Sequence, residues 1–346
     1  MLMREIDAAL ASFGDSRCLD AGGGGPVTGH GMSAGIGRAV STLLSLGLAA
    51  GDRVLVVADR NLDAATLYFA CLRTGAAFTA LDPAVDKDAL GAVLDDAQPT
   101  ILVAPQATLT RSAQKLRMSR VRTALTMERD GGGTYRDLCA GQQPSRTSML
   151  VRPGDLALLH YDLTRAPRAL TFTHAALARQ ARLAKGLLGL RKGQRLALAL
   201  PVWAAPPSLA TLAAAWMSGA AVQWMSAPGA HDADVLLADA DDEASVAGRA
   251  MRTLSRSGPA GAGAYVAIDE AGLIAAKGDD GAMRVLPELE SRLEDGKLVI
   301  ADKCLFSGYW RRAQDSERAL EPGMRFRTGL AARPQPDGSV VLADQP

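Results

Sequence analysis

The sequence predicts an α/β fold of two similar α/β subdomains, each with a mostly parallel sheet flanked by helices, plus a small β-rich C-terminal subdomain. Three observations predict it. The first is an internal echo. Leu46-Gly47-Leu48-Ala49-Ala50-Gly51-Asp52-Arg53 leads into an apolar run, a helical stretch and Gly75-Ala76-Ala77-Phe78, and Leu188-Gly189-Leu190-Arg191-Lys192-Gly193-Gln194-Arg195 leads the same way to Gly219-Ala220-Ala221-Val222. The second is the length of the apolar runs at 54–58 and 196–200, which suits buried parallel strands, each followed by an Ala/Leu-rich segment of helical length. The third is the composition shift at Arg256-Ser257-Gly258-Pro259-Ala260-Gly261, beyond which short apolar runs alternate with turns.

Taken in order, a helix is expected over residues 3–13, then the tract Gly22-Gly23-Gly24-Gly25-Pro26, then a helix over 33–47. The glycine tract reads as a turn, since no Lys-Ser/Thr follows it and no strand leads in. Each copy of the repeat reads as a βαβ unit with a right-handed crossover. A strand at 100–104 extends the first sheet, and one at 156–160 begins the second. Arg111, Lys115, Arg117, Arg120, Arg122 and Arg129 read as a solvated face, with docking of an acidic carrier protein or an anionic cofactor tail as the sharper alternative. Asp239, Asp241, Asp242 and Glu243, after His231, Asp232 and Asp234, read as a solvated loop, because the calcium-loop glycine and terminal Glu are missing. Strands at 265–269, 297–301 and 339–342 form the last unit. Boundaries follow at 1–150, 151–257 (shortened) and 258–346.

Among 346 residues, 38 Lys and Arg balance 37 Asp and Glu, a formal charge of +1 that argues against a nucleic-acid or membrane-surface role. Cys18, Cys71, Cys139 and Cys304 are widely spaced, so no zinc site or disulfide framework is indicated and no metal is expected. The charged start Met1-Leu2-Met3-Arg4-Glu5 is unlike a signal peptide, and no apolar run reaches membrane-spanning length. A cytoplasmic protein is expected.

The anchors Gly51-Asp52-Arg53-Val54, Leu81-Asp82-Pro83, Phe172-Thr173-His174, Phe306-Ser307-Gly308-Tyr309-Trp310 and Phe326-Arg327-Thr328-Gly329 stand in an order that resembles the N-terminal region of the adenylate-forming superfamily. This is the family of acyl- and aryl-CoA synthetases, peptide-synthetase adenylation domains and luciferases. The resemblance covers nearly the whole chain, and its departures are chemical. The family's phosphate loop, Tyr-Thr-Ser-Gly-Thr-Thr-Gly-x-Pro-Lys-Gly, becomes Tyr161-Asp162-Leu163-Thr164-Arg165-Ala166-Pro167-Arg168-Ala169, two residues shorter and without glycine. A phosphate cradle turns successive N–H groups inward, which glycine permits and Leu163 or Ala166 does not. Arg165 and Arg168 remain as cations and Thr164 as a polar group, with Tyr161 and His174 framing the loop.

Where the resemblance implies a ribose-binding Asp after Arg327, Thr328 and Gly329, Leu330 stands. The aromatic-Gly-x-Thr-Glu segment, implied for adenine stacking and magnesium, finds no match between Trp224 and Tyr265. Trp203, at the position of a family aromatic-His pair, is a candidate pocket residue with Trp216 and Trp224, though large aromatics at α/β junctions are commonly core. His174 reads as a helix-start residue bonded to backbone, and no confident catalytic residue emerges. The family's C-terminal domain, source of a catalytic lysine, is expected to be absent. A degenerate synthetase-like protein follows, unable to adenylate and kept to bind an acyl or aryl group, an acyl carrier protein or an active homologous enzyme, with no cofactor. The alternative is ATP-dependent activation of a carboxylic acid by an acid–thiol ligase, with ATP and magnesium and with Arg165, Arg168 and Thr164 serving the phosphates.

Overall fold

Strand Arg53–Val57, helix Leu62–Thr74 and strand Ala77–Leu81 form the first βαβ unit of the structure, a computed structural model. It describes residues 2–21, 25–128, 132–163, 167–204, 206–225, 233–239, 251–255, 265–278 and 280–343. Val54 to Val57 and Ala77 to Leu81 are buried on both faces, as parallel strands covered by helices must be. Asn61 caps the helix, its side-chain oxygen accepting from the N–H groups of Asp63 and Ala64, and Gly75 ends it at φ 72°. Strand Arg195–Leu198, helix Pro207–Met217 and strand Ala221–Trp224 repeat the unit.

The first sheet has the order Thr123–Thr126, Ile101–Ala104, Arg53–Val57, Ala77–Leu81, Leu156–Asp162, Arg168–Thr173. All its pairings are parallel except the last. The strand expected to begin the second sheet thus closes the first, through Phe78 opposite Leu158. An apolar run on both faces states burial but not a neighbour, so its sheet was not encoded locally. The N-terminal strand Arg17–Asp20 joins the second sheet instead, parallel to Ala221–Trp224. Strands from either side of residue 150 therefore share both sheets. That second sheet continues through Val235–Asp239, Met251–Ser255 and Tyr265–Ile268 into antiparallel strands that include Gly272–Lys277, Lys297–Ile300 and Arg325–Pro334.

Helices Leu2–Phe13, Gly29–Ser45, Leu62–Thr74, His174–Leu188 and Pro207–Met217 pack on one another between the sheets. The largest core joins Val54 and Val56 of the first sheet to Leu196, Leu198 and Val222 of the second. Gly29 permits a close approach between helices, since a Cβ there would lie 2.2 Å from the Leu10 carbonyl oxygen. On the other face of the first sheet Leu55, Val57 and Leu81 meet Leu90, Val93 and Leu94 of helix Lys87–Ala97, and the β-rich region has its own core. Among the described residues, no helix is long and apolar enough to cross a membrane.

Candidate functional site

The degenerate phosphate loop is the connection of a β-hairpin. Leu156–Asp162 and Arg168–Thr173 pair antiparallel, with Tyr161 opposite Ala169 and Asp162 opposite Arg168. Thr164 and Arg165 lie outside the described residues. Side chains of a strand alternate faces, and Tyr161 turns with Leu159 toward helix Lys87–Ala97. Its hydroxyl donates to Asp96 Oδ2 at 2.6 Å. Burial, and then that carboxylate, raise the Tyr161 phenol well above its ordinary range. Tyr161 therefore fastens the hairpin to a helix, and its side chain does not belong to the loop.

The neighbouring segment Gly308-Tyr309-Trp310 docks along the hairpin. Thr171 N–H donates to the Gly308 carbonyl at 3.0 Å, Ser307 N–H to the Thr171 carbonyl at 2.7 Å, and Trp310 N–H to the Ala169 carbonyl at 2.9 Å. Gly308 has φ 130°, and a Cβ there would come within 2.8 Å of Ser316 Oγ. Trp310 Nε1 donates to the Asp96 carbonyl at 3.1 Å, so Asp96 receives both aromatic residues. The Arg168 guanidinium carbon lies 4.2 Å from the Tyr309 ring centre. His160, on the opposite face from Tyr161, brings Nε2 within 3.7 Å of Asp269 Oδ1.

Glu270 follows strand Tyr265–Ile268 and is half-buried. Burial raises its carboxyl above the usual range, Asp269 adds to the rise, and the charges of Arg168 and His160 oppose it. Glu270 lies beyond the stretch between Trp224 and Tyr265 where the resemblance implies the motif. Val266-Ala267-Ile268-Asp269-Glu270 shares only its Glu with the aromatic-Gly-x-Thr-Glu pattern, so the sequence carried no motif for this residue.

His174 opens helix His174–Leu188 behind the Thr173 cap and is 5% exposed. Its N–H donates to the Asp155 carbonyl at 3.1 Å. Burial lowers the imidazole to about 4, with Asp155 opposing, so the ring is neutral at physiological pH. The bond to Asp155 is made by the main chain, while the buried ring Nε2 has no hydrogen-bond partner among the described residues.

The three tryptophans do not share a pocket. Trp216 is fully buried and donates from Nε1 to the Cys18 carbonyl at 2.9 Å, and Trp224 donates to the Leu200 carbonyl at 2.7 Å. Both are core, because each indole finds a backbone acceptor inside the packed layers. Trp203 alone lines a cavity of about 320 Å³, at the carboxyl ends of Arg53–Val57, Ala77–Leu81 and Ile101–Ala104. Open α/β sheets commonly bind ligands at such strand ends. Its polar lining is largely committed: Arg60 Nε donates to the Ala199 carbonyl, Asn61 Nδ2 to the Glu128 carbonyl, and Glu128 Oε1 accepts the Gln106 N–H.

At the ribose position Leu330 is 7% exposed and packs with Leu298, Ile300, Ala332 and Leu342. Arg327 is paired with Glu294 and Glu321, and the Thr328 hydroxyl donates to the Leu298 carbonyl at 2.9 Å. These side chains differ from those the resemblance implies for a nucleotide. An isobutyl group accepts no ribose hydroxyl, the described phosphate-side cation is stacked on Tyr309, and among the described residues no three His, Cys, Asp or Glu side chains gather as a metal site.

Residues 6–162 match the family described as AMP-binding enzyme. Apo MatB from Rhodopseudomonas palustris superposes with a TM-score of 0.84 at 19% identity, over 98% of this chain and 78% of that one. These likenesses support the resemblance to the adenylate-forming superfamily, and the structural ones show its fold. VinN matches it at a TM-score of 0.81 and 19% identity over 99% of this chain and 98% of that one. The inhibitor-bound N-terminal domain of FACL13 from Mycobacterium tuberculosis matches at 0.78 and 17%, over 100% and 99%. In sequence, an L-proline–(L-prolyl-carrier protein) ligase from Pseudomonas fluorescens is 26% identical over 137 residues, 39% of this chain and 27% of that protein. The chain thus aligns with under a third of that curated relative's length. The chain keeps that fold, while the positions the resemblance assigns to the nucleotide carry other side chains.

Proposed function

We propose that this chain is a degenerate member of the superfamily that binds without adenylating, a cytoplasmic pseudoenzyme acting through interactions. The observation that carries the reading is Leu330, whose side chain is built into the β-rich core where the resemblance implies a ribose carboxylate. The state of Arg168 supports it, since a guanidinium stacked on Tyr309 and faced by Glu270 is already partly neutralised. The Trp203 cavity offers room for an acyl or aryl group, and a carrier protein presenting that group is the favoured partner because a sequence relative is named a carrier-protein ligase. An active homologous enzyme is the other candidate partner. Calorimetry with ATP, paired with capture of an acyl carrier protein, tests the reading. Absent ATP binding with retained carrier binding is expected, and acid-dependent turnover of ATP refutes it.

Glu270 favours a second reading. A carboxylate close enough to the hairpin to feel the charge of Arg168 is what carboxylic acid activation with ATP and magnesium requires under the resemblance. Arg168, with Arg165 and Thr164, would then face the phosphates, and the same ATP titration run with magnesium separates the two readings.

A further inference from the structure

A second groove, of about 660 Å³, opens at the end of the second sheet where Arg17–Asp20, Arg195–Leu198 and Ala221–Trp224 begin. These strands run parallel, so their amino ends converge there, while Trp203 follows the carboxyl end of Arg195–Leu198. The groove shares no lining residue with the Trp203 cavity. Leu19 and Val222 give it an apolar floor with Phe13 beside them, and Arg17, Lys192 and Arg195 line its rim.

The internal repeat shows how the rim differs from the matching end of the first unit. Gly51 N–H donates to the Gly75 carbonyl at 2.8 Å, and Gly193 N–H to the Gly219 carbonyl at 3.0 Å, so the turns correspond. Asp52 of the first turn accepts the Ala49 N–H and pairs with Arg122. Its counterpart Gln194 accepts the Arg191 N–H at 2.8 Å, keeping the bond and losing the charge. Arg53 is held by the Ala97 and Gln98 carbonyls. In the second unit the Lys192 stem lies over Gly219, where an added Cβ would stand 3.1 Å from Lys192 Cγ, and Arg17 and Lys192 are exposed. Arg195 has contacts of its own, including its N–H to Asp234 Oδ2, and the weight falls on Arg17 and Lys192.

We propose that this groove binds a phosphate monoester with an apolar body. The exposed cations Arg17 and Lys192, with Arg195, outnumber the lining carboxylate Asp20, so the rim is net positive. A phosphate monoester carries about −1.5 to −2 at neutral pH, and the apolar floor takes the ester group. Lysine and arginine are the side chains that hold phosphate by charge-assisted bonds.

Phenyl phosphate titrated into the full chain at low salt, by calorimetry and by amide NMR, tests this. Saturable binding is expected, with shifts at Gly193 and Gln223, tighter than inorganic phosphate. Arg17→Gln with Lys192→Gln weakens it about tenfold or more, and Arg168→Gln leaves it intact. Circular dichroism reports the fold of the double variant, and Lys192→Gln alone is read if that variant unfolds. No saturable binding, wild-type affinity in the folded variant, or equal affinity for inorganic phosphate overturns the proposal.

Discussion

Arg168 stacks on Tyr309, its guanidinium carbon 4.2 Å from the ring centre, and so links the phosphate hairpin to the Gly308-Tyr309-Trp310 segment. The same segment reaches Asp96 through Trp310. A residue that the resemblance places near phosphate therefore has a structural partner already. Arg168→Ala is expected to destabilise the protein by about 0.5–1 kcal/mol, the worth of a partly exposed cation–π contact. Urea unfolding checks it, and carrier-protein binding should be unaffected.

Leu330→Asp puts the family's carboxylate back into the sequence. Because Leu330 sits in the core with Leu298 and Ile300, the new carboxyl would be buried without a partner. The expected result is a loss of about 3 kcal/mol or more of stability and no gain in ATP affinity. Chemical denaturation and calorimetry measure the two parts, and a stable variant that binds ATP would show the site to be open.

His174 should make the protein acid-sensitive at mild pH. Its folded pKa of about 4 lies below the unfolded value near 6.5, so the unfolded state takes up the proton first. Stability is full above about 6.5 and declines as pH falls toward 4, by about 2 kcal/mol at pH 5. His174→Gln should flatten this decline, as read from urea midpoints between pH 5 and 7.5.

Asp302 acts in the same sense, but at lower pH. Burial favours its neutral form, but Arg179 and the N–H groups of Cys304 and Glu290 outweigh burial and hold the carboxyl below its ordinary range. Its contribution is present above the unfolded value near 4 and is lost as pH falls below it through the folded value. Asp302→Asn should lower stability by about 2–3 kcal/mol at pH 7 and narrow the gap to wild type below pH 4.

The two βαβ units were legible because an apolar run, a capped helix and a glycine stop are written locally, as at Val54, Asn61 and Gly75. What the sequence could not state was adjacency. Leu158 pairs with Phe78, and Leu19 pairs with Val222, through partners far along the chain. The site was half legible for the same reason. Leu330 announced itself within a motif, whereas Glu270 stands in no motif and became visible only beside Arg168. Trp203 and Trp224 look alike in sequence, and only packing puts one in a cavity and the other in the core.

The most direct measurement is ATP–pyrophosphate exchange with magnesium and a panel of aryl, acyl and amino acids, because it reads adenylate formation itself. Exchange no higher than the acid-free background is the predicted result, with and without the panel. Robust exchange that depends on one of the acids would contradict the account and assign Glu270 and the phosphate hairpin to an active site.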